Sequence, residues 1–420
     1  MHRAAFLRSL LGLPLLFGAA APARPHPRPL PAGGRPDDEA WARMRDLFPL
    51  SRERIYLNTA GLGASPQEVI DTVARAAAEL ERAGETGHDE ALWAEIKKVA
   101  GGMLGCDPAE LAFTRNATEG INIVANGLPL GEGDEVILTT EEHVGNAVTW
   151  VALAGRARLR LRRFVPSVRS EAENLERIGA LLTPRTRLIA VPHVATTTGL
   201  VLPVRAIADL ARPKGVWLFV DGAQGPGAVP VDLHASGCDA YATSGHKWLL
   251  GPKETGLLYV RAGMLDTVAA KHVGAYSTAA FDFAAGTLQL HPGARRYEYG
   301  TVSVPLRRGL GAALSFLDTI GLARVLEHDM RLADEAMRGL RVIPGVRLLS
   351  PEVPGLRAPI VSFSHAALDT PAMLAHLEKA RIRARGVWEG GMSGVRVSFH
   401  VHNSPAEVGR LLEAVAGAGR

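Results

Sequence analysis

The sequence predicts an α/β protein with a mainly parallel sheet in a large domain, followed by a smaller α+β domain at the C-terminus. From about residue 66, short apolar runs alternate with amphipathic helical patterns, the order typical of a parallel sheet covered by helices on both faces. The 420 residues are 47% hydrophobic, which is enough for a large buried core. The 45 glycines supply the many tight loops that such a chain needs.

The positions of the individual elements follow from the same patterns. Strands of the large domain are expected at Leu111–Thr114, Glu135–Thr139, Leu159–Val165, Arg187–Pro192, Val216–Val220 and Gly256–Val260. Helices are expected at Pro66–Ala83, Glu90–Leu104, Glu119–Asn126 and Glu171–Leu182. Near residue 300 the pattern changes to the helices Val304–Thr319, Leu322–Leu340, Thr370–Ala380 and Pro405–Ala416 and the strands Ala358–Ser364 and Val395–Phe399. We therefore predict a large domain over residues 51–300 and a small domain over residues 301–420.

The N-terminus resembles an export signal. Residues 1–8 are short and basic, residues 10–21 form an apolar run, and residues 21–23 (Ala-Pro-Ala) offer a small-x-small cleavage site. The stretch from Arg3 to Arg8 is similar to a twin-arginine signal with one arginine missing. These features predict an exported, periplasmic protein with a signal over residues 1–23 and a linker-like lead over residues 24–50. The apolar run is too short for a comfortable membrane span, so the mature chain is expected to have none; an uncleaved start is the alternative.

Composition excludes several other classes of protein. The formal charge is +4, and no basic stripe with interleaved aromatic residues is present, so nucleic acid is not an expected partner. Cys106 and Cys238 are the two cysteines; they have no metal-ligand spacing and cannot form a disulfide framework, although a single bridge stays open. No metal site is predicted. No G-x-G-x-x-G follows a strand and no phosphate loop ends in G-K-[ST], which disfavours nicotinamide and ATP sites.

One lysine has a distinctive setting in a chain where seven of the 47 basic residues are lysine. A buried strand pattern ends at Asp221, and Lys247 follows 26 residues later in the sequence Ser-Gly-His-Lys. A lysine amine can form a Schiff base with the aldehyde of pyridoxal 5′-phosphate (PLP), and a carboxylate can keep the pyridine nitrogen protonated. The two residues together predict a PLP site, although Asp221 alone could simply begin a turn.

A phosphate-binding segment can also be recognised. Residues 115–120 lead from a strand into a helix, so the amides at the start of the helix and the hydroxyl of Thr118 could hold a phosphate. An ordinary capped helix fits the same pattern. Ser244 and His246, beside Lys247, supply further donors.

Two more residues are candidates for contacts with cofactor or substrate. His143 follows a strand end, where its flat ring could stack on a cofactor or could be a surface or capping residue. Arg396 lies in a strand of the small domain, and its planar guanidinium suits a bidentate grip on a substrate carboxylate. The alternative for Arg396 is an ion pair with an acid of the protein.

Together these motifs resemble the class V aminotransferase family of fold type I PLP enzymes, which includes cysteine desulfurases and proteins similar to isopenicillin N epimerase. The resemblance runs from Tyr56 to Asn403, and its most specific part is residues 244–247 with residues 221–224 (Asp-Gly-Ala-Gln) upstream. It implies PLP as cofactor, a small amino-acid substrate and a homodimer with shared active sites. For the cofactor ring, the resemblance implies a Schiff base on Lys247, a contact of Asp221 with the ring nitrogen, a contact of Gln224 with the phenolic oxygen and stacking by His143. The phosphate would be bound by Ala117, Thr118, Ser244 and His246, and Thr301 would contact the phosphate in the neighbouring subunit. Arg396 would bind the substrate carboxylate.

Departures from the family pattern narrow the function. Thr196, a further candidate for a cofactor contact, stands where desulfurases have an asparagine, and His402 stands where a tyrosine is usual before an asparagine. Desulfurases carry a nucleophilic cysteine on a small-domain loop, and the corresponding residues 385–389 contain none. A persulfide-forming desulfurase is therefore not expected. By position alone, the substrate pocket is expected near Asn58, Tyr276 and Trp388.

The expected activity is that of a PLP enzyme acting at the amino group or Cα of an amino acid. Transamination, epimerisation and β-elimination all begin with removal of a proton from Cα, for which Lys247 is the natural base. We expect a transaminase-type or epimerase-type enzyme. The alternatives are a carbon–sulfur lyase without a persulfide cysteine and, in a different class, an exported binding protein that kept the fold without the activity.

Overall fold

The computed structural model describes residues 38–418, so the predicted signal over residues 1–23 and the first part of the predicted lead lie outside the described residues. The helices are α1 (Asp38–Arg45), α2 (Gln67–Ala83), α3 (Glu90–Leu104), α4 (Ala117–Gly127), α5 (Val144–Ala157), α6 (Glu171–Leu181), α7 (Val204–Ala211), α8 (Leu233–Ser236), α9 (Val304–Ile320), α10 (Leu322–Arg341), α11 (Thr370–Lys379) and α12 (Pro405–Ala416). The strands are β1 (Ile55–Tyr56), β2 (Leu111–Thr114), β3 (Glu135–Thr139), β4 (Arg160–Phe164), β5 (Thr186–Pro192), β6 (Trp217–Asp221), β7 (Ala240–Ser244), β8 (Gly256–Val260), β9 (Thr278–Asp282), β10 (Thr287–Leu290), β11 (Val346–Leu348), β12 (Ile360–His365), β13 (Ile382–Arg383), β14 (Arg385–Val387) and β15 (Gly394–Ser398).

A seven-stranded sheet forms the centre of the large unit, in the order β2-β8-β7-β6-β5-β3-β4. Strands β7, β6, β5, β3 and β4 are parallel, whereas β8 is antiparallel to β7 and β2 is antiparallel to β8. Every residue of β3 and β7 is buried, because helices cover both faces of the sheet. The predicted α/β fold with a mainly parallel sheet is therefore confirmed.

The topology brings several predicted site residues to one edge of this sheet. Since β2 runs in the same direction as β7, α4 begins at the same edge at which β3, β5, β6 and β7 end. Asp221 is the last residue of β6, and Lys247 lies three positions after the end of β7. Ligand sites of open α/β sheets lie at this carboxyl edge.

The C-terminal unit contains a four-stranded antiparallel sheet in the order β11-β12-β15-β14, packed against α10, α11 and α12. Strand β1 pairs in parallel with β13, and Asn58 forms a bridge with Ser398. The chain before α2 is thus joined to the C-terminal unit, although the predicted boundary placed it in the large domain; the boundaries themselves stay a prediction.

Two further features concern the surface and the long helices. The hairpin β9–β10, which the sequence patterns did not indicate, exposes Phe281 and Phe283 to solvent. Among the described residues no single helix is long and apolar enough to cross a membrane, and α9 with α10 meets those criteria only as a pair bent by 80°.

Candidate active site

A cavity of about 260 Å³ opens at the carboxyl edge of the large sheet, facing the C-terminal unit. Nine of the residues predicted from sequence line it: Ala117, Thr118, His143, Thr196, Asp221, Ser244, His246, Lys247 and Arg396. These residues come from several strand ends, one helix start and the small sheet, so the fold itself brings them together. Ala60, Gly61, Asn116, Ile121, Ala223 and Arg385 complete the lining.

Asp221 and Lys247 form the buried polar floor of this cavity, with 5% and 8% of their surfaces exposed. The backbone N–H of Ala223 donates to Asp221 Oδ1 at 3.0 Å, so the carboxylate both begins a turn and faces the cavity. Burial raises the pKa of Asp221, against the opposing effects of this bond and of Lys247. Such a carboxylate would be stabilised by a protonated ring nitrogen beside it.

The amine of Lys247 is tuned towards its neutral form. Burial lowers its pKa to about 8; the nearby cations Arg396 and Arg385 lower it further, whereas Asp221 raises it. About a tenth of the amine is then unprotonated at pH 7, compared with less than about one part in a thousand for a free lysine. An amine that is partly neutral can act as a nucleophile or as a base.

The loop that carries Lys247 is held by close backbone contacts. The N–H of Gly63 donates to the carbonyl of His246 at 2.8 Å, and a Cβ atom on Gly63 would lie 2.0 Å from the carbonyl oxygen of Lys247. Only glycine allows the segment after β1 to approach this closely. The resulting fit fixes the backbone from which the lysine side chain extends.

Two helix starts meet at the predicted phosphate position. Asn116 caps α4 by accepting from the N–H of Glu119, and the N–H of Ala117 donates to Ser244 Oγ at 3.3 Å. The hydroxyl of Thr118 lies against the first turn of α5, where a Cβ on Gly145 would be only 2.6 Å from Thr118 Oγ1. Helix starts and hydroxyls are the donors that bind phosphate groups in proteins.

His143 combines both of the alternatives that the sequence left open. Its Nδ1 accepts from the N–H of Gly145 at 3.1 Å, so it caps α5, and its ring also lines the cavity. Burial, followed by the nearby cation Lys247, lowers the pKa of His143 to about 4. The ring is therefore neutral at physiological pH, which suits stacking on an aromatic cofactor.

Gln224 does not line the cavity; it lies directly behind it. Its Nε2 donates to the carbonyl of Ala60 at 2.6 Å and to Thr196 Oγ1 at 3.2 Å, while its Oε1 accepts from Trp248 Nε1 at 2.7 Å. The side-chain amide thus has a partner for each of its groups inside the protein. Through these hydrogen bonds Gln224 positions Thr196 and Trp248, the residue that follows Lys247.

Arg396 is a buried guanidinium with 1% of its surface exposed. It donates to the carbonyl and to the hydroxyl of Thr196, both at 2.7 Å, and to Asn58 Oδ1 at 3.2 Å. Its Nε has no hydrogen-bond partner, and among residues 38–418 no carboxylate lies within ion-pair distance. Burial, with a contribution from Arg385, lowers the pKa of Arg396 to about 9. The ion pair that the sequence left open as an alternative is therefore not present in the described part of the chain.

Sequence reasoning missed Arg385, which also lines the cavity. It lies on β14 directly opposite Arg396 on β15 and forms an ion pair with Glu389. The strand β14 has three residues, too few for a recognisable alternating pattern. The available signal was the position of Arg385 in the stretch where the family places its reactive loop.

Several other predicted residues are not part of this cavity. Thr301 is exposed and does not line it, and Trp388 is 54% exposed. Tyr276 stacks on His88, with ring centroids 4.2 Å apart. Asn58 reaches the site through its contact with Arg396.

The two cysteines lie outside the site as well. Both are free, and burial raises the pKa of Cys106 and of Cys238 to about 12. A thiol with such a pKa is a poor nucleophile near neutral pH. The expectation that no persulfide-forming cysteine serves this cavity therefore rests on the position and the chemistry of both thiols.

Comparison with known proteins identifies the family. The family model described as aminotransferase class V matches residues 55–411. This protein belongs to the class V aminotransferase family. It is similar to isopenicillin N epimerase of Streptomyces clavuligerus (31% identity over 392 residues, 89% of this chain and 97% of the relative) and to a cysteine desulfurase of Klebsiella pneumoniae (33% over 351 residues, 79% and 85%).

Solved structures agree with this assignment. A complex of the cystine C–S lyase C-DES with its product cysteine persulfide has a TM-score of 0.81 and 28% identity, covering 88% of this chain and 99% of that one. A C-DES mutant with glycine covalently linked to the PLP cofactor has a TM-score of 0.80, also at 28% identity, covering 89% and 99%. The chain therefore has the PLP-dependent fold of type I, and PLP is its cofactor.

The residues around the cavity fit this cofactor. Lys247 would carry the aldehyde carbon, Asp221 would contact the ring nitrogen, and His143 would lie against the ring. The start of α4, with Thr118 and Ser244, would hold the phosphate. Each of these groups has the donor, acceptor or charge that the corresponding part of PLP requires.

Proposed function

We propose that this protein is a PLP-dependent enzyme that acts at the amino group or Cα of an amino acid, by transamination or epimerisation. The observation that carries this proposal is a buried lysine with a lowered pKa, Lys247, in a cavity that also holds an unneutralised buried guanidinium, Arg396. When bound, PLP supplies an electron sink next to the substrate Cα.

Residues of the chain bind the substrate and transfer the proton. Arg396 binds the substrate carboxylate and so fixes which bond of Cα faces Lys247. Lys247 takes the Cα proton on Nζ and can return it. Thr196 and Asn58 hold Arg396 in place through the hydrogen bonds described above.

A carbon–sulfur lyase is the second candidate, because the cystine C–S lyase C-DES matches 88% of this chain. This reaction needs the same proton removal by Lys247 and no reactive cysteine. The third possibility, an exported binding protein without activity, is opposed by the presence of Lys247 and Asp221 together in one cavity.

A labelling experiment tests the proposal. The purified protein should absorb visible light, and borohydride reduction followed by peptide mapping should place the PLP label on Lys247. A colourless protein after incubation with PLP, or a label on another lysine, contradicts the proposal. Incubation with a panel of amino acids in deuterated water then separates the reactions. Exchange at Cα without net product supports epimerisation, conversion of the cofactor to its amine form supports transamination, and released pyruvate or sulfide supports the lyase.

Assembly and export are part of the proposal. We infer a homodimer with shared sites, in which Thr301 contacts the phosphate bound to the partner; the exposure of Thr301 and the exposed phenylalanines of the β9–β10 hairpin are compatible with an interface. Sedimentation should give twice the chain mass.

We also infer export to the periplasm. N-terminal sequencing of the periplasmic protein tests this inference, and the sequence should start near Arg24.

A further inference from the structure

The two arginines that face the cavity are direct neighbours across the small sheet. Arg385 on β14 is the Cα partner of Arg396 on β15, so both side chains leave the same face of the sheet. Side chains in such positions have Cβ atoms about 5 Å apart, and like charges placed there are destabilising. A pair of this kind needs a compensating anion.

The protein supplies only part of that compensation. Glu389 pairs with Arg385 four residues away, whereas Arg396 has no carboxylate partner in the described chain. Although burial raises it, hydrogen bonds from Arg385 and from the backbone hold the pKa of Glu389 below its ordinary value. Glu389 is therefore an anion at neutral pH, and it is the competitor that a ligand of Arg385 must displace.

The residues that fit the cofactor do not include the two arginines. Its phosphate fits the start of α4, which belongs to the large unit, whereas Arg385 and Arg396 project from the small sheet. The carboxylate of an ordinary amino acid would neutralise one guanidinium. The second guanidinium keeps its ion pair with Glu389, so a second carboxylate would have to take the place of Glu389 there.

Glu389 accepts from Arg385 and, at 3.1 Å, from the backbone N–H of Trp388. It begins a short 3-10 turn, next to Gly390 and Gly391, which have φ values of 66° and 76°. The neighbouring Trp388 is more than half exposed, so solvent can accept a displaced carboxylate. The Arg385 side chain is 29% exposed, so it is more accessible to solvent than the fully buried Arg396.

We propose that the substrate carries a second carboxylate on its side chain, bound by Arg385 in exchange for Glu389, while Arg396 binds the α-carboxylate. This inference rests on the proposed function, because it assigns the acidic amino acids as the substrate class of the same site. It makes Arg385 the residue that determines specificity and Glu389 the group that occupies its guanidinium in the absence of substrate.

Binding of simple carboxylates to the PLP-loaded protein tests the inference without any reaction. Succinate, glutarate and adipate are each compared by calorimetry with the monocarboxylate of equal carbon number: butyrate, pentanoate and hexanoate. At least one diacid should bind about tenfold or more tightly than its partner, since a charge-assisted bond to a guanidinium is worth that much. Equal binding within each of the three pairs overturns the inference.

Two variants sharpen the result in opposite directions. Arg385→Gln should reduce the advantage of the diacid over the monoacid to less than about twofold, because the second carboxylate loses its partner. Glu389→Gln should tighten diacid binding several-fold, because the competing anion is gone. A diacid advantage that survives in Arg385→Gln overturns the assignment of this residue. Retained cofactor absorbance shows that each variant is folded.

The outcome is separable from that of the proposed function. If borohydride labels Lys247 but no diacid binds more tightly than its monoacid, the substrate inference fails and the enzyme assignment stands. If Lys247 is not labelled, the enzyme assignment fails whatever the carboxylates do.

Discussion

The two sides of Lys247 differ in whether their charged groups face the cavity. In front, the cavity is lined by the cations Lys247, Arg385 and Arg396 and by the carboxylate of Asp221, and Arg396 keeps an unpartnered Nε. Behind, the buried His400 shares a 2.6 Å hydrogen bond with Asp329 and donates from Nε2 to the carbonyl of Trp248 at 3.1 Å. His400 and Asp329 are completely buried.

This difference separates binding from support. An excess of buried positive charge is costly, so it persists where a ligand provides the missing anion. The hydrogen-bonded pair of His400 and Asp329 does not line the cavity, and through the carbonyl of Trp248 it can hold the backbone next to the reactive lysine. Changes in front should therefore alter binding and turnover, whereas changes behind should first alter stability.

The largest effect is expected from Lys247→Ala. Turnover should fall by at least about a thousandfold, because both the attachment point of the cofactor and the base are lost. The measurement is kcat with the best amino acid found in the exchange panel. Lys253→Ala is the matched control, since Lys253 lies in an exposed turn of the same loop region; a similar loss in both variants would contradict the role of Lys247.

The second largest effect is expected from Arg396→Gln, which should weaken substrate binding. The lost charge-assisted contact corresponds to about 2–3 kcal/mol, or roughly a hundredfold increase in KM, with a smaller change in kcat. Arg347→Gln is the control and should change KM little, because Arg347 is an exposed arginine on β11 of the same small sheet and does not line the cavity. A loss confined to kcat would argue against carboxylate binding by Arg396.

Behind the lysine, Asp329→Ala should destabilise the protein by about 2–3 kcal/mol, because the buried His400 loses its partner. Urea unfolding followed by circular dichroism measures this change. On the same helix, Asp334 pairs with Arg357 at a more exposed position, so Asp334→Ala should cost less than about 1 kcal/mol. Equal losses would remove the distinction between the buried pair and the surface pair.

The sequence predicted the front of the lysine far better than the back. Strands β2, β3 and β8 were placed at their observed bounds, and Asp221 and Lys247 were located because strand ends and a rare lysine are local signals. The pairing of His400 with Asp329 joins positions 71 residues apart through a contact between β15's following loop and α10. Hydrophobic periodicity in the sequence does not indicate a contact between residues so far apart.

Contacts between residues far apart in the sequence also explain why Arg385 and the partners of Gln224 were not predicted. Arg385 was missed because its relation to Arg396 exists only once β14 and β15 pair. Gln224 was expected to face the cofactor, yet its amide bonds to Ala60, Thr196 and Trp248, which lie far from it in sequence. Residue type indicated the kind of contact, whereas the partner depended on the tertiary fold.

The smallest effect concerns the pH dependence of stability without cofactor. Because burial lowers the pKa of Lys247 to about 8, the folded protein releases this proton at a lower pH than the unfolded chain, whose lysine titrates near 10.5. Between these values the unfolded chain binds more protons, so the contribution of Lys247 to stability rises with pH. From pH 7 to pH 9 the gain should be about 1 kcal/mol.

The difference between the wild-type protein and Lys247→Met isolates this contribution, since the other alkaline groups titrate in both proteins. Unfolding free energies of the cofactor-free forms are measured at pH 7, 8 and 9. The value for the wild type minus the value for Lys247→Met should increase as pH rises. Parallel curves would show that the amine of Lys247 titrates in the folded protein as it does in water. In that case the cavity would hold three full positive charges, on Lys247, Arg385 and Arg396, and the cofactor would meet a fully protonated lysine.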